Sequence, residues 1–175
     1  MGETLQLRYR QAIGRFATGV TVVTTVDGER LAGMTASAVA SLSLEPPLLL
    51  VCINNKLPTH EALERSRQFG VNVLGEGDER LALKFATPAD DKFAGLRVDT
   101  GHGVPLLDRA IARFVCDVQE CLPGGDHSIF IGAIRHCEHV LNRRPLLYFA
   151  SGFGGLQQLD DALGRTAELL GMSAI

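Results

Sequence analysis

"GMTASAVASLSLEPPLLLVCINN", residues 33–55, decides how the rest of the chain is read. Four hydroxyl side chains, Thr35, Ser37, Ser41 and Ser43, stand among small residues, and the Pro46–Pro47 step then leads into the apolar run "LLLVCI". Proline has no backbone N–H to give a ladder, so the pair interrupts pairing and starts a fresh strand. An apolar run bounded by turn residues fits a buried strand. The hydroxyls have two readings. Ser and Thr often occupy turns and solvated edges. Beside free backbone N–H groups they also make a neutral cradle for a phosphate or a polar ring edge. Each donor in such a cradle contributes roughly 0.5–1.5 kcal/mol net, which suits a ligand that must also leave.

Upstream, "VTVVTTVDGERLAGMTA" combines a β-branched run, an Asp27–Gly28 turn and a second short strand, which predicts a hairpin. Before it, Leu5, Tyr9, Ile13 and Phe16 recur at helical spacing and predict an amphipathic helix over 5–18, ending near Gly19. Downstream, "LPTHEALERSR" reads as a short helix with Thr59 as its cap and Glu61 in its first turn. "QFGVNVLG" alternates like a strand, and "GDERLALKFA" is a second short helix closed by Thr87–Pro88. Residues 88–109 carry Gly95, Gly101, Gly103 and Pro105 with little periodicity, a kind of segment that is often functional or packs across a partner. Two longer strands, "AIARFVCDVQECL" and "HSIFIGAIRHCEHV", follow around the turn "PGGD". A strand "PLLYFA" and a terminal helix from about Leu156 complete the chain. Strands adjacent in sequence with only short helices between them predict an all-β to α+β protein. The expected architecture is an antiparallel barrel with peripheral helices, not a doubly wound parallel sheet. Residues 1–175 hold no repeat, linker or low-complexity tract, so a single domain is expected.

Composition narrows the function. The chain has 175 residues, 46% hydrophobic and 21% charged, and its 17 basic and 20 acidic residues leave a net charge of -3. No basic cluster exceeds Arg143–Arg144, so nucleic acid is not an expected partner. The start "MGETLQLRYRQAIGRF" lacks the apolar core of a signal peptide, and no apolar run is long enough to span a bilayer. Cysteines at 52, 116, 121 and 137 lack the spacing of a disulfide framework. Free thiols in a cytoplasmic protein with no membrane contact are the expectation.

Cys116 and Cys121 lie five apart on a presumed strand, whose alternation sends their side chains to opposite faces. The adjacent His136 and Cys137 diverge for the same reason, and no pair has the spacing of a zinc site. No metal is expected. No G-x-G-x-x-G follows a strand; "GHG" at 101–103 lacks the third glycine and a helix after it. A nicotinamide dinucleotide would therefore bind in some other manner. His127, in "GGDHSIF", sits just after a turn at the start of a strand, and Asp126 before it reads as a turn cap.

Several separated stretches agree on one resemblance. "FATGVTVVTT", "GMTASAVASLSLEPPLLLVCI", "FGVNVLGEGDERLALKFA", "GDHSIFIGAI" and "PLLYFASGF" resemble the flavin reductase-like family, from about residue 10 to 156. "TASAVASLSLEPPL" and "GDHSIFIG" are the specific pieces. The resemblance implies a split β-barrel with Greek-key connections, usually a homodimer with flavin near the subunit interface. It implies reduction of FMN or FAD by NADH or NADPH, supplying reduced flavin to a partner monooxygenase. Thr35, Ala36, Ser37 and Ser41 would lie along the flavin, and Asn54 and Thr59 would close the same pocket. Lys84 and Phe85 match a basic residue and an aromatic of the family, with Lys84 as the phosphate partner. His127 would sit beside the nicotinamide, orienting and shielding it. After the "PLLY" strand the family often carries a basic residue and a tyrosine, whereas this chain reads "SGFGGL", leaving Phe153 to stack on a ring. That departure leaves NADH against NADPH open. Two rival readings also stay open: a flavin-binding protein that stores or senses without turnover, and a flavoprotein whose fixed flavin reduces another acceptor such as a ferric chelate.

Overall fold

The computed structural model describes residues 4–157. The helix expected from about Leu156 lies outside the described residues. In chain order the elements are α1 (Leu5–Ile13), β1 (Thr18–Gly19), β2 (Thr21–Asp27), β3 (Arg30–Ala36), β4 (Val39–Leu44), β5 (Pro47–Asn54), α2 (Pro58–Ser66) and β6 (Gln68–Val73). They continue with α3 (Glu79–Ala86), β7 (Val98–Asp99), β8 (Leu106–Leu107), β9 (Ala112–Gly124), β10 (His127–His139), β11 (Leu146–Phe149) and β12 (Gly152–Gly155). Every strand pairing among the described residues is antiparallel.

Seven strands form one sheet in the order β3-β2-β6-β9-β10-β5-β4. Its two edge strands are joined by two residues only, Ser37 and Ala38. Three peptide steps from Ala36 to Val39 reach at most about 11 Å, so the sheet curls until its edges meet at that corner. No ladder joins β3 to β4, so the sheet is curled and open, not closed.

Two bulges help it bend. In the β9–β10 ladder, Val118 lies opposite Gly132 and Glu120 opposite Ile131, leaving Gln119 over; further along, Arg135 is the extra residue. A bulge bends its strand, strengthens the local twist and re-aims the side chains beyond it.

The inner face of the sheet and α2 enclose a core of Val23, Val51, Ile53, Leu63, Phe69, Val71, Cys116 and Phe130. A second cluster, with Val22, Leu74, Phe85, Phe93, Leu107 and Leu146, lies around α3. Residues 88–109 pack onto their own chain. Phe93, Val104, Leu106 and Leu107 are buried. Asn72 Oδ1 accepts from the Leu107 N–H at 2.7 Å, and Thr24 Oγ1 donates to the Pro105 carbonyl at 2.5 Å.

The hairpin, the strand after Pro46–Pro47, both central helices and the long β9–β10 pair match the sequence reading. Pro47 nonetheless pairs with Leu44 at the head of β5, so the hydroxyl stretch is an edge strand in a hairpin. The first helix stops at Ile13, with Gly14 as its C-cap, and Thr18–Gly19 pairs with β11 instead of extending it. Thr59 is not a cap: Leu57 holds that position with Pro58 after it, and no side chain caps the helix. β12 is an additional strand, in "SGFGGL".

Candidate functional site

The C-terminal end of β5 is the meeting point. On one side His127, the first residue of β10, lies opposite Asn54. On the other, the Cys52 N–H donates to the Ala38 carbonyl at 2.9 Å, which brings the Ala36–Ala38 corner alongside. Turn and corner thus flank one strand end, about 10 Å apart at two strand spacings.

The turn is well anchored. The Asn55 N–H donates to the Asp126 carbonyl at 3.0 Å, and Gly125 takes a positive φ of 76° that glycine adopts without strain. Asp126 is more than a turn cap, because its Oδ1 lies 2.7 Å from His127 Nδ1. That hydrogen bond, helped by the charge of the imidazole, holds the exposed Asp126 carboxyl below its ordinary range. It also makes Nδ1 the donor, so Nε2 of the half-exposed ring is the nitrogen offered outward.

Ser37, on the corner, and Ser41, on β4, are exposed, and their hydroxyls make no hydrogen bond among the described residues. Ser41 lies opposite Leu49, well down β4 from the His127 end, beside a register irregularity. Thr35 differs: its hydroxyl donates to the Ala82 carbonyl at 2.6 Å and ties β3 to α3. Ala36 is buried, and its carbonyl accepts from Thr21 Oγ1 at 2.7 Å. Asn54 Oδ1 accepts from the Lys56 N–H at 2.9 Å, so this side chain shapes the loop after β5.

The remaining expected contacts are dispersed. Thr59 is buried in the first turn of α2, behind the strand end. Lys84 Nζ donates to the Ala94 carbonyl at 2.5 Å, so its ammonium already has a partner on the 88–109 segment. Phe85 needs correcting: it is 0% exposed, sits edge-on to Phe93 and lies under Gly33, which makes it core and keeps it from touching a ligand. Phe153 lies edge-on to Tyr148 on the β11–β12 pair and packs against the cluster around α3.

Two scaffolding residues escaped the sequence reading. Asp78 is fully buried, and its carboxylate takes Arg109 at 2.6 Å and Arg143 at 3.1 Å. Asn72 holds β2 and β8 together through both ends of its amide. An Asp before a helix and an Asn in an alternating strand look like a cap and a surface residue, so composition gave no signal.

Two shallow clefts lie around Leu81 and Arg109 and around Arg30 and Phe93, and neither is lined by His127 or Ser37. Ser37, Ala38, Asn55 and Asp126 are exposed, so the strand end presents an open surface.

A family model described as "Flavin reductase like domain" matches residues 13–157. The chain belongs to the flavin reductase like family. Among relatives of this flavin reductase like chain is the reductase component of a 4-nitrophenol 4-monooxygenase/4-nitrocatechol 2-monooxygenase from Rhodococcus opacus. It is 40% identical over 160 residues, covering 91% of this chain and 86% of that protein. An NADH-dependent flavin reductase from Rhodococcus sp is 34% identical, with 90% of each chain covered. The solved NADH:FAD oxidoreductase of Streptomyces globisporus C-1027, in complex with NAD and FAD fragments, superposes with a TM-score of 0.83 at 34% identity. The match covers 92% of this chain and 99% of that one.

Proposed function

We propose that this single-domain chain is an NAD(P)H:flavin oxidoreductase, the reductase component that supplies reduced FMN or FAD to a partner monooxygenase. The observation that carries the reading is the meeting of the Gly125–His127 turn and the Ala36–Ala38 corner at the end of β5. The parts fit a flavin beside a nicotinamide. Ser37 and Ser41 bring unpartnered hydroxyls, Ala38 and Ala40 leave room for a flat ring, and His127 presents Nε2.

When both are bound, hydride passes between the two cofactors, whose own chemistry needs no protein acid or base. The chain's residues align and exclude. Asp126 fixes the His127 ring by holding Nδ1, and the hairpin register sets His127 across β5 from Ser37. Such positioning turns an encounter of two heterocycles into an oriented, dehydrated one. Thr35, Ala36 and Asn54 act through the backbone they position. Lys84 reaches a phosphate on releasing the Ala94 carbonyl, and Phe153 lies at the rim.

We further propose a homodimer with a split-barrel subunit. The support is apolar surface that is exposed or half-buried among the described residues. Leu5, Tyr9, Ile13 and Phe16 are exposed on and just beyond α1. Leu48, Leu50, Cys52, Ile129 and Ile131 are half-buried on the outer side of β5 and β10. A second copy covers this apolar surface and walls the open strand end. No helix among the described residues is long and apolar enough to cross a membrane, and we place the protein in the cytoplasm.

The test is steady-state NADH and NADPH oxidation with and without added FMN and FAD. Flavin-dependent acceleration with at least one donor is expected, with NADH and FAD tried first because those names attach to the relatives. A yellow protein that holds flavin without turnover would favour storage. Tight retention with rapid reduction of a ferric chelate would favour a fixed prosthetic group.

A further inference from the structure

Beneath the His127 turn, on the inner face of the sheet, three potential ligand atoms of different chemistry face one another. A ring nitrogen of His60, a Glu64 carboxylate oxygen and Cys121 Sγ lie within 4.8 Å of one another, and the nitrogen nearest Glu64 is Nδ1, at 3.7 Å. We propose that these residues bind a borderline-soft divalent cation of the Zn2+ class.

Strict strand alternation places Cys116 and Cys121 on opposite faces, and the bulge at Gln119 undoes that expectation. The extra residue shifts the parity, so Phe114, Cys116, Val118 and Cys121 all line the inner core. Cys121, opposite Phe130, is thereby aimed toward α2, where His60 packs edge-on against the same Phe130 ring at 5.3 Å. On α2, His60 and Glu64 are one turn apart and share a face.

The hydrogen bonds around His60 set its tautomer. Ser128 Oγ has one proton and donates it to Asn55 Oδ1 at 2.9 Å. The Asn55 amide is itself oriented by Nδ2 donating to the Gly125 carbonyl. Ser128 Oγ must then accept from His60, 2.8 Å away, which puts the imidazole proton on Nε2. Nδ1 is left with a bare lone pair on a side chain only 9% exposed, facing a carboxylate oxygen at 3.7 Å. Among the described residues it has no hydrogen-bond partner.

With the proton on Nε2, two acceptors face each other with a thiol beside them, a donor set that a cation between them satisfies. A tetrahedral zinc with bonds of about 2.0–2.3 Å separates its ligands by roughly 3.3–3.7 Å, so a small movement of half-exposed Glu64 closes the set. Cys121 loses its thiol proton to solvent on binding, and thiolate plus carboxylate then balance the two positive charges. Solvent on the Glu64 side supplies the remaining ligand and the entry path. The ring's other nitrogen donates to Ser128 Oγ, a fixed acceptor of the kind that orients metal-bound imidazoles. Through Ser128 and Asn55 it also reaches the turn that carries His127.

The test is metal uptake by the full-length protein, kept reduced with a phosphine and dialysed against Zn2+ or Co2+. One equivalent per chain is expected. The Co2+ form minus Zn2+ form difference spectrum should carry an intense thiolate-to-cobalt charge-transfer band. Cys121→Ser, which changes one atom and is checked for fold by circular dichroism, should abolish that band and weaken Zn2+ binding at least about tenfold. Glu64→Gln, at an exposed position, should weaken it too. Ser128→Ala keeps all three ligands but releases the imidazole, and should cost about ten- to hundredfold in affinity. Cys137→Ser, at an exposed thiol, should change nothing. Absence of saturable uptake, or a band that survives Cys121→Ser, overturns the site. So does nitrogen NMR that finds His60 protonated at Nδ1 under excess Zn2+, since the gap would then hold a proton.

Discussion

His127 and Asp126 make a pair whose orientation follows from one hydrogen bond and whose charge state can be followed directly. Asp126 is held ionised below the ordinary carboxylate range, first by the hydrogen bond from His127 and second by its charge. Because the folded value is the depressed one, the interaction is fully present above the unfolded value of about 3.9. It is lost only as pH falls through the lower, folded value. A carboxyl carbon NMR titration should therefore place the Asp126 midpoint below about 3.9, and His127→Ala should return it upward. An unchanged midpoint in the variant would remove His127 as the cause. The position of this pair is legible in "GDHS" after a turn, but the contact between the two side chains is not. The same pattern reading marks Phe85 as an aromatic beside a lysine and is silent on which side of α3 faces the core, where Phe85 is held under Gly33.

The β9–β10 hairpin shows how far pattern carries at the scale of elements. Its two strands and their turn are legible because alternation and "PGGD" are local signals. The bulges at Gln119 and Arg135 are not, since nothing in composition distinguishes an unpaired residue from a paired one. They matter because they turn Cys121 inward and let the sheet curl over Phe69. Gly132 sits at the first of these register shifts, and a Cβ there would lie 2.5 Å from the Phe69 ring. Gly132→Ala should therefore cost about 1–3 kcal/mol, read as a lower denaturant midpoint at unchanged slope. A neutral result would mean that Phe69 has room to move aside. The "SGFGGL" strand was missed for the opposite reason: glycines carry no strand signal, and β12 forms because β11 offers it an edge.

Over the whole molecule, the segment between α3 and β9 is fixed by buried polar groups at some distance along the chain. Asp78 at the head of α3 gathers Arg109 and Arg143, joining the segment's end to the β10–β11 connection. Asp78→Ala removes the only buried partner in that trio while its arginines keep some access to water. The expected loss is about 3 kcal/mol, at the low end for breaking a buried pair, measured by chemical denaturation. A loss under about 0.5 kcal/mol would make the trio no stronger than a surface ion pair. The same scale governs assembly. Exposed Leu5, Tyr9, Ile13 and Phe16 predict a dimer in sedimentation velocity, and a double substitution Ile13→Asp with Phe16→Asp should shift it toward monomer. A monomeric wild type would leave the strand end open and require the flavin to bind to one chain alone.

The central claim is that His127 meets the nicotinamide while the Ala36–Ser41 strand meets the flavin. The most direct measurement is the nicotinamide KM of His127→Ala beside its flavin Kd. Loss of an oriented contact worth roughly 1.5 kcal/mol should raise the KM about tenfold and leave the flavin Kd within about twofold of wild type. Equal changes in both constants, or none in either, would contradict the assignment.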